Sequence, residues 1–209
     1  MIPAVPEGVA IAPESPDVGA RALLVASRLL CGATVFFFLA FAFAYFYLRS
    51  INADHMWRPA HVSPNKGLGT AFIVCVLLSA ALSIVANRQM KREAPSWVAA
   101  AFGGIGFGLI AVALQCIEYT TQHFGPTNGG YASVFSAWTA FYLIAVMFTM
   151  YWLETHVATE LRARREPASH GEDIRDADRL IAPALDAAVF YWVFLAGIGL
   201  ITYVVLYLV

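Results

Sequence analysis

Five long apolar stretches dominate this sequence, and none of them contains Asp, Glu, Lys, Arg or His. Each is about 20 residues or longer, and a helix of that length, rising 1.5 Å per residue, crosses a hydrocarbon core of about 30 Å. We therefore predict an all-α polytopic membrane protein, a bundle of five transmembrane helices. The predicted spans are Leu29–Leu48, Leu68–Asn87, Trp97–Ile117, Ala132–Leu153 and Ala187–Val209.

The composition agrees with a chain that is mostly out of contact with water. Apolar residues make up 60% and charged residues 13% of the 209 residues. A typical soluble domain is about 45–50% apolar and about 25% charged. The formal net charge of −1 provides no basic field, so we predict no nucleic-acid partner.

The distribution of Lys and Arg between the two ends of the spans predicts their orientation. Because positive charge is retained in the cytoplasm, the richer side is expected to be cytoplasmic. This places the N-terminus inside and the C-terminus outside, as an odd number of spans requires. The richer side has Arg21, Arg28, Arg88, Lys91, Arg92, Arg162, Arg164, Arg165, Arg175 and Arg179, whereas the other has only Arg49, Arg58 and Lys66.

The polar segments predict the domain organisation. Residues 1–27 are Pro-rich and lack the early basic residues of a signal peptide, so we interpret them as a flexible cytoplasmic N-terminal tail. Residues 28–209 form the five-helix transmembrane domain. Its one long polar segment, 155–182, is a predicted cytoplasmic loop whose start prolongs the fourth helix.

The spans lack the side chains that several membrane functions require. They contain no histidine to ligate a haem and no ionisable group to accompany a transported ion. Two loop histidines beside Asp54 are too weak a pattern to predict a metal site. We therefore expect no catalytic residue, no metal ligand and no cofactor in this chain. The histidines, each expected in a loop or beyond a helix end, are His55, His61, His123, His156 and His170.

One polar pair lies at the end of the third span. Gln115 and Glu118 are three residues apart and share a helical face. Either the two side chains form a fixed polar contact, or Glu118 is a carboxylate at the membrane interface and faces water. Earlier in the same span, Gly104 and Gly108 either permit close helix approach or are merely tolerated.

The third and fourth spans carry three short motifs in a fixed order, at Leu114–Tyr119, Tyr131–Phe135 and Thr139–Phe141. They resemble subunit III of the haem-copper oxidases, in which L-Q-x-x-E-Y is followed by Y-G-S-x-F and then by T-G-F-H. In the last span, Phe190–Trp192 is similar to the family's Y-W-H-F-V-D region. The resemblance implies structural or lipid-facing roles, and no catalysis, for Gln115, Glu118, Tyr131, Ser133, Phe135 and Thr139.

The chain departs from the family pattern at positions where the family carries polar side chains. Thr34 replaces a Glu of the first shared span, and two histidines that follow the fourth-span motif are replaced by Tyr142 and Ala145. In the last span, Val193 and Ala196 replace a His and an Asp. Any role in proton handling that depends on those side chains is therefore not expected here.

The resemblance implies a function through association. It identifies the chain as a divergent five-span bacterial form, a non-catalytic subunit III of a terminal oxidase in the bacterial inner (plasma) membrane. It would stabilise subunit I and hold structural lipids, with oxidase subunits I and II and phospholipids as partners and with haem and copper in the partner subunit. The alternatives are a subunit-III-like accessory protein of a nitric oxide reductase and an independent small membrane assembly factor.

Overall fold

The computed structural model describes residues 16–52, 57–165 and 172–209. Within these ranges every regular element is helical, which confirms the predicted all-α fold. Five of these helices are long and apolar enough to cross a membrane. Helices α1 to α5 are Pro16–Ile51, Lys66–Lys91, Trp97–Thr121, Gly130–Arg165 and Glu172–Tyr203, and α5 continues into a π-helical segment, Val204–Leu208.

All five helices extend beyond the predicted apolar spans, and α1, α4 and α5 extend the furthest. Helix α1 begins at Pro16, so the tail boundary predicted at residue 28 lies inside a helix, while residues 1–15 lie outside the described residues. Helix α4 continues to Arg165 and α5 begins at Glu172, so the predicted loop 155–182 is helical at both ends. His156, expected beyond a helix end, lies within α4.

Helices α4 and α5 share the centre of the arrangement: α5 contacts α1, α2 and α4, and α4 also contacts α1 and α3. Helix α3 packs against α2 and α4. Helix α1 contributes one narrow buried stripe, made of Ser27, Thr34, Phe38 and Tyr45. These residues recur at helical spacings, so they share a face, and most of the remaining α1 surface is exposed. Such exposed apolar surface is typical of a helix that faces lipid.

Helices α2 and α3 approach each other closely because small residues face small residues. The hydroxyl of Ser79 donates a hydrogen bond of 2.5 Å to the backbone carbonyl of Gly104. A Cβ atom on Gly104 would lie 2.9 Å from Ser83 Oγ and 3.2 Å from the Ser79 carbonyl oxygen. The absence of a side chain at Gly104 therefore permits this approach, and the alternative of mere tolerance is wrong at this position. In a membrane, where apolar burial drives helix association little, such packing and hydrogen bonding hold helices together.

A polar contact joins α2 and α5 at the end of the bundle predicted to be cytoplasmic. Asp186 accepts a hydrogen bond of 2.6 Å from Asn87 Nδ2 and pairs with Lys91 Nζ at 2.5 Å. The carboxylate lies one residue before the predicted fifth span, and no sequence pattern assigned it a role. Pro183 lies within the first turns of the membrane-capable part of α5, where neighbouring helices can satisfy the backbone groups that proline frees.

Candidate functional site

A buried polar group lies at the end of the bundle where α3 ends and α4 begins, here called the outer end after its predicted orientation. Glu118 is only 1% exposed. Its Oε2 atom accepts hydrogen bonds from Gln115 Nε2 at 3.1 Å and from the Tyr207 hydroxyl at 2.7 Å. The interpretation in which Glu118 faces water is therefore wrong, and the pair forms a fixed contact that also includes the last helix.

Two further motif residues complete this group, which we call the outer-end cluster: Gln115, Glu118, Tyr131, Phe135 and Tyr207. The Tyr131 hydroxyl donates a hydrogen bond of 2.5 Å to the Leu206 carbonyl. The Phe135 ring stacks against Tyr131 at 5.9 Å and meets the Tyr207 ring edge-on at 5.5 Å. The cluster thus joins α3, α4 and the segment that follows α5.

The π-helical segment positions the residues of the last helix in the cluster. Its wider turn is closed by a hydrogen bond of 3.1 Å from the Val209 N–H to the Val204 carbonyl. Leu206 and Tyr207 in this segment are both buried. The Tyr207 ring also occupies the space that a Cβ atom on Gly69 of α2 would fill. Short π-helical segments are rare and are often found at functional positions.

The loop after α1 covers the cluster. The Tyr131 N–H donates a hydrogen bond of 2.8 Å to the Trp57 carbonyl, and the Arg58 guanidinium lies 4.5 Å from the centre of the Tyr131 ring. The Trp57 ring also packs against Gly130, where a Cβ atom would lie 3.0 Å from Trp57 Cε3. The preceding residue, Gly129, has a φ of 118°, which glycine adopts readily because it has no Cβ atom.

Two of the predicted site residues lie outside the cluster. Ser133 is exposed, and its hydroxyl donates hydrogen bonds to the Pro126 and Gly129 carbonyls at 2.5 and 3.1 Å. Thr139 is buried and donates to the Phe135 carbonyl at 2.7 Å, while the Tyr119 hydroxyl of α3 donates to Thr139 at 2.8 Å. The structure therefore brings four of the six predicted residues together, places Thr139 at the contact between α3 and α4, and places Ser133 against the loop that joins these two helices.

Two of the five positions that depart from the family pattern, Thr34 and Tyr142, form hydroxyl contacts instead. Thr34 Oγ1 and the Tyr191 hydroxyl are 3.0 Å apart and join α1 to α5. The Tyr142 hydroxyl donates a hydrogen bond of 3.0 Å to the Leu195 carbonyl and occupies the space left by Gly199. These neutral contacts satisfy buried polar groups without placing a charge in the interior.

The described residues were also compared with the pattern of side chains that holds a metal ion. Among residues 16–52, 57–165 and 172–209, no group of three or more His, Cys, Asp or Glu residues lies close enough to hold a metal ion. Asp54 and His55 lie outside the described residues. What the outer-end cluster can do is hold three helices in a fixed relation.

Sequence reasoning missed Tyr207 as a partner of Glu118. The two residues are 89 positions apart, and no local pattern connects them. The one signal in the sequence was a tyrosine near the end of an apolar helix, a common feature of membrane proteins. Asp186 was missed because it lies just outside the uncharged run that defined the fifth span.

Comparison with known proteins agrees with the motif resemblance. No family model matches the chain. The chain is 26% identical over 179 residues to cytochrome c oxidase subunit 3 of Tachyglossus aculeatus aculeatus and, equally, to that of Ornithorhynchus anatinus. Each alignment covers 83% of this chain, which spans 64% of the length of these relatives. Over most of its length the chain is therefore similar to cytochrome c oxidase subunit 3.

Proposed function

We propose that this protein is a non-catalytic subunit III of a bacterial haem-copper terminal oxidase. The observation that carries the proposal is the similarity to cytochrome c oxidase subunit 3, which extends over 83% of the chain. The residues of the resembling motif support it, because Gln115, Glu118, Tyr131 and Phe135 lie in one buried cluster.

In this proposal the chain acts by packing. The outer-end cluster fixes α3, α4 and α5, and the apolar helix surfaces face subunit I and phospholipids. Haem and copper belong to the partner subunit, which reduces dioxygen and pumps protons. This chain stabilises that subunit during turnover and takes no part in the bond-forming steps.

The test is assembly in the native membrane. Extracted in a mild detergent, the chain should migrate with a complex whose spectrum shows haem and whose metal content includes copper. A haem-containing complex without copper would instead indicate a nitric oxide reductase partner. Recovery of the chain at native expression in a homogeneous assembly free of haem would overturn the proposal and favour an independent assembly factor.

The proposed location in a plasma membrane includes an orientation. A reporter fused after Val209 should be exported, and one inserted at His170 should remain cytoplasmic, because Lys and Arg are concentrated on that side. Parallel fusions after Arg92 and after Gln122 provide matched positions on the two sides. A cytoplasmic reporter after Val209 would contradict the five-span topology.

A further inference from the structure

The hydrogen bonds of the buried Glu118 carboxyl group reach only one of its two oxygens. Both donors, Gln115 Nε2 and the Tyr207 hydroxyl, bond to Oε2, and two donors occupy both lone pairs of a carbonyl oxygen. The other oxygen, Oε1, is buried and has no hydrogen-bond partner in the part of the chain that the structure describes. The Asn65 backbone N–H approaches the carboxyl group without the geometry of a hydrogen bond to Oε1. The two oxygens therefore differ as the carbonyl and hydroxyl oxygens of a neutral carboxylic acid do.

Among residues 16–52, 57–165 and 172–209, no cation compensates a charge on Glu118, because its carboxyl group forms no ion pair there. The nearby tyrosine hydroxyls are uncharged at neutral pH. The described cations of the outer end either bond to other groups or are exposed. Arg49 donates to the Val209 carbonyl at 3.3 Å, Arg58 donates to the Val62 carbonyl at 3.1 Å, and Lys66 is exposed. The titratable groups that face Glu118 are Tyr119, Tyr131 and Tyr207.

A negative charge on Glu118 would be costly. The side chain is 1% exposed and lies in the membrane-capable part of α3. A buried carboxylate without a cation loses hydration free energy that its surroundings do not return, and such a group takes up a proton instead. A neutral acid leaves a single O–H group at Oε1 without an acceptor among the described residues. This costs less than an unpaired buried charge.

We propose that Glu118 is a buried proton-binding site that stabilises the outer end of the bundle. The proton is on Oε1, and Oε2 is the carbonyl oxygen that accepts the hydrogen bonds from Gln115 and Tyr207. Release of the proton places a charge on the carboxyl group, and Oε1 then requires water. Because the loop with Trp57 and Arg58 covers the cluster, water enters when that loop moves. The contact between α3 and the π-helical segment then loosens.

Infrared spectroscopy tests for the proton directly, because a neutral carboxyl group and a carboxylate absorb at separate frequencies. The chain is measured at neutral pH in the complex with which it purifies. The wild type should show an acid C=O band that is lost in Glu118→Gln. The band should be kept in the matched control Glu154→Gln, which changes an exposed residue of α4. Isotope-labelled glutamate assigns the band without any substitution.

Tyr207→Phe provides a second test that keeps the carboxyl group. If Oε2 is a carbonyl oxygen, the loss of one of its two hydrogen bonds should raise the frequency of the acid C=O band. Tyr203→Phe is the matched control in the same helix. The Tyr203 hydroxyl lies 2.7 Å from the Thr70 hydroxyl, outside the cluster, so its removal should leave the band unchanged.

The proton should also make stability depend on pH. An unfolded chain releases the proton of a glutamate near about pH 4.3, whereas the folded chain keeps it, so stability falls as the pH rises. Above about pH 5, the ratio of folded to unfolded chain should fall about tenfold per pH unit more steeply in the wild type than in Glu118→Gln. The difference should end at the pH at which the acid band disappears. Unfolding in mixed micelles measures the ratio, and Glu154→Gln should behave as the wild type does.

The proton site would be overturned if Glu118→Gln removed no acid band at neutral pH, or if Tyr207→Phe left the band unchanged. Equal pH dependence of unfolding in the wild type and Glu118→Gln would overturn the coupling between the proton and stability. All of these contacts lie within this chain, so each outcome is independent of whether the purified complex contains haem.

Discussion

The two sides of α3 differ in how they meet their neighbours. On the α2 side, Gly104 lies against Ser79 and Ser83, and no space remains for a side chain. On the α4 side, the small residues of α4 lie beside Tyr119 and leave a cavity of about 490 Å³. Small residues therefore close the contact between α2 and α3, where opposing atoms fill the space, and leave a groove beside Tyr119, where none do.

The same difference separates the two glycines of the Gly104 and Gly108 pair. Gly104 faces backbone atoms of α2, whereas Gly108 makes room for the side chain of Met150 from α4. A backbone cannot move without moving its helix, but a methionine side chain has three rotatable bonds. Substitutions on the side of α3 that faces α2, which we call the closed side, should therefore be strongly destabilising. The side that faces α4 should accommodate added atoms at a smaller loss of stability.

The largest effect is expected from a bulky residue on the closed side. Gly104→Leu should lower the free energy of unfolding by about 3 kcal/mol or more, because overpacking forces α2 and α3 apart. Gly106→Leu is the matched control, since no neighbouring group of the described residues lies within 4 Å of the point that its Cβ atom would occupy. The free energy of unfolding of both variants is measured in mixed micelles of increasing denaturing-detergent content. Equal losses of stability in the two variants would contradict the close contact between α2 and α3.

Glu118→Gln should have the next largest effect, about 1–3 kcal/mol, because one of the two carboxyl oxygens beside the buried donors of Gln115 and Tyr207 becomes an NH₂ group. The exposed Glu154→Gln on α4 is the control. In the proposed oxidase complex, the variant should leave the initial rate of dioxygen reduction and the proton stoichiometry unchanged and shorten survival over many turnovers. A lower initial rate or proton stoichiometry with normal assembly would mean that Glu118 titrates during turnover.

A smaller loss is expected when the hydrogen bonds of the closed side are removed without changing its packing. In Ser79→Ala, the Gly104 carbonyl loses its donor and Trp192 Nε1, now 3.2 Å from Ser79 Oγ, loses its acceptor. We expect a loss of about 1 kcal/mol. The same mixed-micelle titration measures this loss. Ser50→Ala is the control, because the Ser50 hydroxyl donates to the Tyr47 carbonyl of its own helix. A loss equal to that of Gly104→Leu would mean that hydrogen bonds, not packing, dominate the contact between α2 and α3.

The smallest effect is expected on the α4 side. Gly108→Ala should cost less than about 1 kcal/mol, because the Met150 side chain can move away from the added methyl group. Gly104→Ala provides the direct comparison within the same motif and should cost more. Thermal unfolding of the two variants, followed by tryptophan fluorescence, compares them. A larger loss for Gly108→Ala would mean that the α4 side is as rigid as the α2 side.

The sequence predicted part of the site and left the rest open. The spacing of Gln115 and Glu118 placed both on one helical face, and the structure has them in contact. It did not indicate whether that face meets water or protein, since this depends on Tyr207, from a helix distant in the chain. Likewise, Ser133 and Thr139 belong to the same motif stretch as Tyr131, yet Ser133 bonds to the loop before α4 and Thr139 to Tyr119 of α3.

The sequence by itself determined the five spans, because length and hydropathy are properties of each segment alone. Only the tertiary structure decided which side of α3 is closed, which tyrosine meets Glu118, and where α4 leaves the cavity lined by Ser136. The rotation and offset of packed helices set those contacts. Many residues along the chain determine rotation and offset together, and no local pattern specifies them.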